Sequence, residues 1–315
     1  MTKSLCLRKK ILFTIISLFG IFIIYSWKIE PNLLKIKYLE LHNTALKKNC
    51  TAVLMSDLHL PLNHFIENKL IKALEKIKPD IILIPGDLSS YWTTAEYSKN
   101  KINMLSKYGK IIMVPGNSDG CKSRQCLYCY MKYPADHLNQ LHADILRNDT
   151  ISLQEYGIKI FGLDDPVTNH DNMKCIESTD SSYYNILLVH SVYKLTEDQK
   201  KKFNLICSGH THGGQIFFLK PFLHAFDPAI DQRYIGGIYN ISKTIMIVTT
   251  GIGNSFLPIR FGVPPEIMVL KLKTISNSAS NVMPPPNGFL AEGPQKKSPI
   301  RKNSGAISDS FLLRK

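Results

Sequence analysis

Ala52-Val53-Leu54-Met55-Ser56-Asp57-Leu58-His59 sets an unbroken apolar run against a carboxylate and an imidazole. A short continuous run of this kind reads as a strand buried on both faces, so Asp57 and His59 fall at the strand's carboxyl end. The arrangement recurs. Ile81-Ile82-Leu83-Ile84 leads to Gly86-Asp87, Ile111-Ile112-Met113-Val114 to Gly116-Asn117, and Ile186-Leu187-Leu188-Val189 to His190. Asp87 stands thirty residues after Asp57, and Asn117 thirty after Asp87, about the length of a strand, a crossover helix and the next strand. Phe65 to Ile77 supplies one such helix, with Ile66, Leu70, Ile71, Leu74 and Ile77 at helical spacing and Lys and Glu between them. Parallel strands joined in this way bring their carboxyl ends to one edge, where α/β proteins place their sites.

Downstream, Gly209-His210-Thr211-His212-Gly213-Gly214-Gln215 places two imidazoles one residue apart in a Gly-rich turn. Histidines at i and i+2 leaving a strand can turn toward one point, and the glycines let backbone and ion approach closely. Any one of these blocks alone reads as a turn capped by its own side chains. Five in series read as a metal site. His42, His137, His142 and His224 lack such company and are expected on the surface or satisfied in the core.

In order, D-x-H, G-D, G-N, a lone His and G-H-x-H, spread over roughly residues 50–272, resemble the calcineurin-like metallophosphoesterases. The resemblance implies a mixed α/β (α+β) fold, a four-layer αββα sandwich of two packed sheets flanked by helices, housing a dinuclear metal hydrolase. Mapped by motif, Asp57, His59, Asp87 and His212 would hold one divalent ion, and Asp87, Asn117, His190 and His210 a second, with Asp87 bridging. Carboxylate, imidazole and amide oxygen together suit Mn, Fe or Zn, with Mn the expected pair, and lack the thiolates of a structural zinc site. Asp87, Asn117 and Asp119 are the expected catalytic positions. Ser118, Gln215 and Arg260 are the expected substrate contacts, with turn hydrogen bonds or salt bridges as the competing reading for Gln215 and Arg260.

One block departs from the family pattern: where a His usually follows Gly-Asn, this chain has Ser118. A leaving alkoxide, with a conjugate acid near pKa ~15.7, needs a proton that a neutral hydroxyl does not readily supply. A leaving nucleotide monophosphate, with a second pKa of about 6, does not need one, which favours a pyrophosphate bond. The rival expectation is that His64 or His170 replaces the missing ring. Gly251–Asn254, Leu257–Phe261 and Pro264–Ile267, with a short strand at Leu34–Leu41, resemble the membrane-associated branch of the family. Within that branch the resemblance implies cleavage of UDP-2,3-diacylglucosamine to UMP and 2,3-diacylglucosamine 1-phosphate, a step of lipid A biosynthesis. The alternatives are a general membrane-bound phosphodiesterase and a non-catalytic scaffold.

The chain divides into a basic stretch at 1–10, a membrane anchor at 11–27, a catalytic domain at 28–274 with an insertion near 120–147, and a disordered basic tail at 275–315. Ile11 to Trp27 carries no charge and reaches about 25 Å as a helix. Lys3, Arg8, Lys9 and Lys10 precede it, but Lys28, Lys35, Lys37, Lys47 and Lys48 follow, nearly cancelling the orientation bias. A nucleotide-linked substrate then argues for an inner-membrane protein with its domain on the cytoplasmic face. The formal charge of +14 suits anionic headgroups and an anionic phosphorylated substrate. Nucleic acid is disfavoured, since no second binding module is in sight. Cys121, Cys126 and Cys129, three of seven cysteines, are expected as packed thiols in an insertion that caps the site.

Overall fold

A computed structural model describes residues 2–90, 93–119, 141–255 and 257–275. Cys121, Cys126, Cys129, His137, most of the insertion and the tail lie outside the described residues. Two six-stranded sheets carry the fold. In the first, β1 (Lys35–Asn43) and β12 (Glu266–Thr274) flank the parallel series β2 (Cys50–Leu54), β3 (Ile81–Pro85), β4 (Lys110–Val114) and β5 (Ala143–Ile145), in the order β1-β12-β2-β3-β4-β5. The second runs β10 (Gly237–Ile241), β11 (Thr244–Val248), β9 (Leu205–Ser208), β8 (Tyr184–Leu188), β7 (Ile158–Gly162) and β6 (Asp149–Leu153).

The central strands of each sheet are buried on both faces, which is why β3 and residues 186–188 of β8 read as apolar runs. Between the sheets, Leu54, Leu83 and Ile112 meet Ile186, Leu188, Leu205 and Ile247. The outer face of the first sheet is covered by α2 (His64–Ile77) and α3 (Ala95–Leu105). Asn63 starts α2 by accepting from the Phe65 and Ile66 amides, and Lys78, at φ 52°, ends it. Ile66, Leu70 and Leu74 of α2 are buried, each worth about 1.5–3 kcal/mol. Across the second sheet the covering layer is thin. Turns around Ile176 and the single-turn α4 (Glu197–Lys200) close over Phe161, Leu187 and Ile206.

The strand foreseen at Leu34–Leu41 is β1, paired in parallel with β12, which itself runs antiparallel to β2. That pairing brings the chain leaving the N-terminal helix beside the loop at 249–265. The helix, α1 (Thr2–Ile24), continues through a wider turn at Tyr25–Ile29. At 23 residues it is about 35 Å long, long and apolar enough to cross a membrane. Its Phe13, Ile16, Phe19 and Ile21 are exposed.

Candidate metal centre

The turns leaving β2, β3, β8 and β9, and the one leaving β4, converge. Asp57 and His190 are fully buried, and Asp87 and His212 nearly so. Nε2 of His59 lies 3.0 Å from Nε2 of His212, and the two rings stack with centroids 5.0 Å apart. Nε2 of His190 lies 2.9 Å from Oδ1 of Asn117. The two oxygens of Asp87 face opposite ways: Oδ2 is 3.5 Å from His59 Nε2, and Oδ1 is 3.4 Å from His190 Nε2. Donor atoms of Asp57, His59 and His212 form one compact group, and those of Asp57, Asp87 and His190 another, each within 4.8 Å.

The backbone here is held in unusual geometry. Asp57, His59, Asp87, His210 and His212 all have positive φ, between 42° and 72°, a region L-residues adopt only when their surroundings hold them there. Two glycines permit the close approach. A Cβ on Gly116 would stand 2.3 Å from Asp87 Oδ1, and one on Gly209 would stand 2.0 Å from Ser56 Oγ.

The charges suit a cation. Burial pushes the Asp57 carboxyl up, with His190 pulling it back, whereas at Asp87 the His190 and His59 charges outweigh burial and hold the carboxyl down. Burial disfavours charge on His190, but Asp87, Asp57 and Asp165 raise it to about 9. Burial, then His59 and Arg260, hold His212 well below its ordinary value. His210 turns partly aside: its Nε2 is 3.3 Å from Asp227 Oδ2, yet this buried nitrogen has no aligned hydrogen-bond partner. An orphaned imidazole nitrogen beside paired carboxylates and facing imidazole nitrogens fits divalent-ion binding.

The other expected residues divide. Ser118 lines the cavity and donates from Oγ to Asp87 Oδ2 (2.9 Å) and from its amide to Oδ1 (2.8 Å). Gln215 also lines it, but its amide group bridges the Leu257 carbonyl and the Ser255 amide. Two expectations are corrected. Asp119, foreseen as catalytic, is fully buried and accepts from the Leu88, Ser89 and Gly116 amides; burial and Asp87 push its carboxyl up to about 7. It ties the β3 and β4 loops together. Arg260, foreseen as a substrate contact, is fully buried and donates to the carbonyls of Thr250, Gly251, Gly253 and Val263. No part of it faces the cavity.

His64 and His170 do not line the cavity either; they bond Asn68 and Thr168. His42 and His224 are satisfied locally, by Glu40 and by the Ile230 carbonyl. Two residues escaped the sequence reading: Asp227 beside His210, and Glu30, which accepts from the Gly262 and Val263 amides. Neither stands in a motif, and Glu266, within the Pro264–Ile267 stretch, was given no role there yet accepts from the Thr250 amide.

A two-sheet α/β fold that gathers buried carboxylates and imidazoles at its strand ends is the arrangement of the metallophosphoesterase class. Residues 51–214 match the calcineurin-like phosphoesterases, and the chain belongs to that family of metal-dependent hydrolases. An uncharacterized metallophosphoesterase of Helicobacter pylori is 30% identical over 76% of this chain, which spans 64% of that protein's length. The Bacillus subtilis uncharacterized metallophosphoesterase YkuE is 30% identical, with 70% of this chain and 78% of that one covered. A Bos taurus transmembrane protein with a metallophosphoesterase domain is 26% identical over 70% of this chain and 52% of that protein.

Proposed function

We propose that the chain is a membrane-anchored phosphohydrolase that uses two divalent ions, held on either side of Asp87, to cleave a phosphodiester or phosphoanhydride bond. The observation that carries this reading is the Asp87 carboxylate, whose two oxygens address separate imidazoles. His59, His212 and Asp57 would hold one ion, and His190, Asn117 and His210 the other. Bound there, the ions would supply Lewis-acid polarisation of phosphoryl oxygens and a water nucleophile at neutral pH. The protein's part is positional. Ser118 fixes the rotamer of Asp87 with two hydrogen bonds, and burial keeps bulk water from the floor.

A cavity of about 320 Å³ opens above these residues, with the ligands on one side and Ile216, Leu219, Leu223, Phe226, Ile230 and Leu257 on the other. A polar floor against an apolar wall suits an amphiphile. Within that class we take UDP-2,3-diacylglucosamine as the substrate and Mn as the metal, with the domain on the cytoplasmic face, where nucleotide-linked substrates occur. The Ser118 hydroxyl is committed to Asp87, which agrees with a leaving phosphate that needs no proton. The test is incubation of detergent-solubilised protein with Mn²⁺ and UDP-2,3-diacylglucosamine. UMP release lost in Asp87→Ala supports the reading. Hydrolysis of bis(p-nitrophenyl) phosphate without UMP release rejects the substrate and keeps the class.

A further inference from the structure

Among the described residues, nothing buries the aromatic side chains beside the cavity. Phe217, Phe218, Phe222 and Phe226 fall within ten residues, on a turn at Phe217–Phe222 and the single-turn helix α5 (Leu223–Phe226). All four are exposed, Phe222 by 58% and Phe226 by 73%, and Leu257 across the mouth is also exposed. Scattered apolar side chains are ordinary on a surface, but a contiguous patch marks a contact.

The patch continues into the anchor. Phe217 and Phe218 lie 5.8 and 6.2 Å from the ring of Phe261, which packs edge-on against Phe22 at 4.7 Å and Tyr25 at 6.1 Å. Beyond Tyr25, Trp27 and Ile29 are exposed. Basic side chains accompany this apolar face. Lys28 sits 3.8 Å over the Trp27 ring, and Lys220 lies within the patch itself. Aromatic rings with lysines at the end of an apolar helix are what a headgroup boundary selects.

The join is stiff. The Arg260 amide donates to the Ser26 carbonyl at 2.9 Å, and both oxygens of buried Glu30 accept from the amides of Gly262 and Val263. The end of α1 and the loop carrying Phe261 therefore move as one piece, and the Phe217–Phe226 stretch is held at a set height relative to the helix.

We propose that Phe217–Phe226 with Leu257 is a second membrane-contacting surface, docking into the headgroup and acyl boundary of an anionic phospholipid bilayer so that the cavity opens against the leaflet. The inference rests on reading α1 as a membrane anchor, and it adds what α1 alone does not supply: an orientation. Phe226 and Leu257 belong both to the patch and to the cavity lining, so a substrate with acyl chains passes from leaflet to floor along apolar surface.

The test uses the full chain reconstituted in phosphatidylcholine–phosphatidylglycerol vesicles with brominated acyl chains, read by tryptophan quenching. In a Trp27→Phe, Trp92→Phe background, Phe222→Trp reports the patch. In the same background Tyr183→Trp, just before β8 at the amino ends of the parallel strands, reports the far side. The signal lost in Trp27→Phe reports the anchor. The expected result is at least twofold quenching of the tryptophans at 27 and 222 and none at 183. Quenching at 27 without quenching at 222 overturns the docking surface and leaves the anchor standing. No quenching at 27 overturns the anchor and the docking surface with it. Blue-shifted, unquenched emission at 222 assigns the patch to a second copy of the chain, which also overturns the proposal.

Discussion

On the floor of the cavity, Asp57, Asp87, His190 and His212 are buried, and five of the seven expected metal ligands hold positive φ. Along the wall, Phe226 and Leu257 are exposed, and Leu219, Leu223 and Phe226 sit on short helical segments. The floor has its geometry imposed by two sheets and their loops, whereas the wall is a short excursion fixed at its ends by Gln215, Phe261 and the brace to α1. Chemistry that needs donors held within a fraction of an ångström belongs on the first, and contact with a fluid surface belongs on the second. A change to the floor should therefore cost activity and stability together, and a change to the wall should separate them.

The sharpest way to break that contrast is Asp87→Ala. Loss of the carboxylate whose two oxygens lie beside His59 and His190 is expected to lower hydrolysis on the order of 10³-fold and to reduce bound metal, measured by turnover in Mn²⁺ and by metal content. Retained turnover would show that the floor is not the site. Next is Arg260→Ala, which leaves four loop carbonyls without their donor while keeping the main-chain bond to Ser26. It should cost about 3–5 kcal/mol, read from a denaturant midpoint in detergent. A cost below about 1 kcal/mol would place Arg260 outside the framework.

Asp227→Asn addresses the boundary between the two regions. If Asp227 orients His210, metal affinity should fall about 10–100-fold, measured by metal titration, with the unfolding midpoint little changed. Ser118→His tests the leaving-group argument and should change UMP release by less than about threefold; a larger gain would point to an alkoxide leaving group. The smallest effect belongs to the wall. Phe222→Ser should alter stability by no more than about 0.5 kcal/mol and leave hydrolysis of a small soluble diester unchanged, while turnover of vesicle-borne lipid falls. Equal loss on both substrates would make the wall part of the catalytic framework.

Much of the first sheet was legible because its signals are local. The runs before Asp57, Asp87 and Asn117 announce buried strands, and the equal spacing announces their parallel connection. The helix read at Phe65–Ile77 from its periodicity is His64–Ile77 in the structure. The thinness of the outer layer on the second sheet was not legible, because short turns such as Met173–Ile176 carry no period. Nor was Asp227, which follows Phe226 in a stretch without repeat or motif.

Asp119 and Arg260 show where reading along the chain stops. Charged side chains beside site loops look like reagents, yet neither lines the cavity: Asp119 is occupied with main-chain amides, and Arg260 with carbonyls, Asn254 and Nδ1 of His212. The order of residues was enough to determine the donor inventory and its placement at strand ends, since both depend on neighbours a few positions apart. Which of those charged groups face the cavity, and which brace it, only the tertiary structure decided. Burying loops leaves particular amides and carbonyls without water, and which ones are left depends on how distant segments meet.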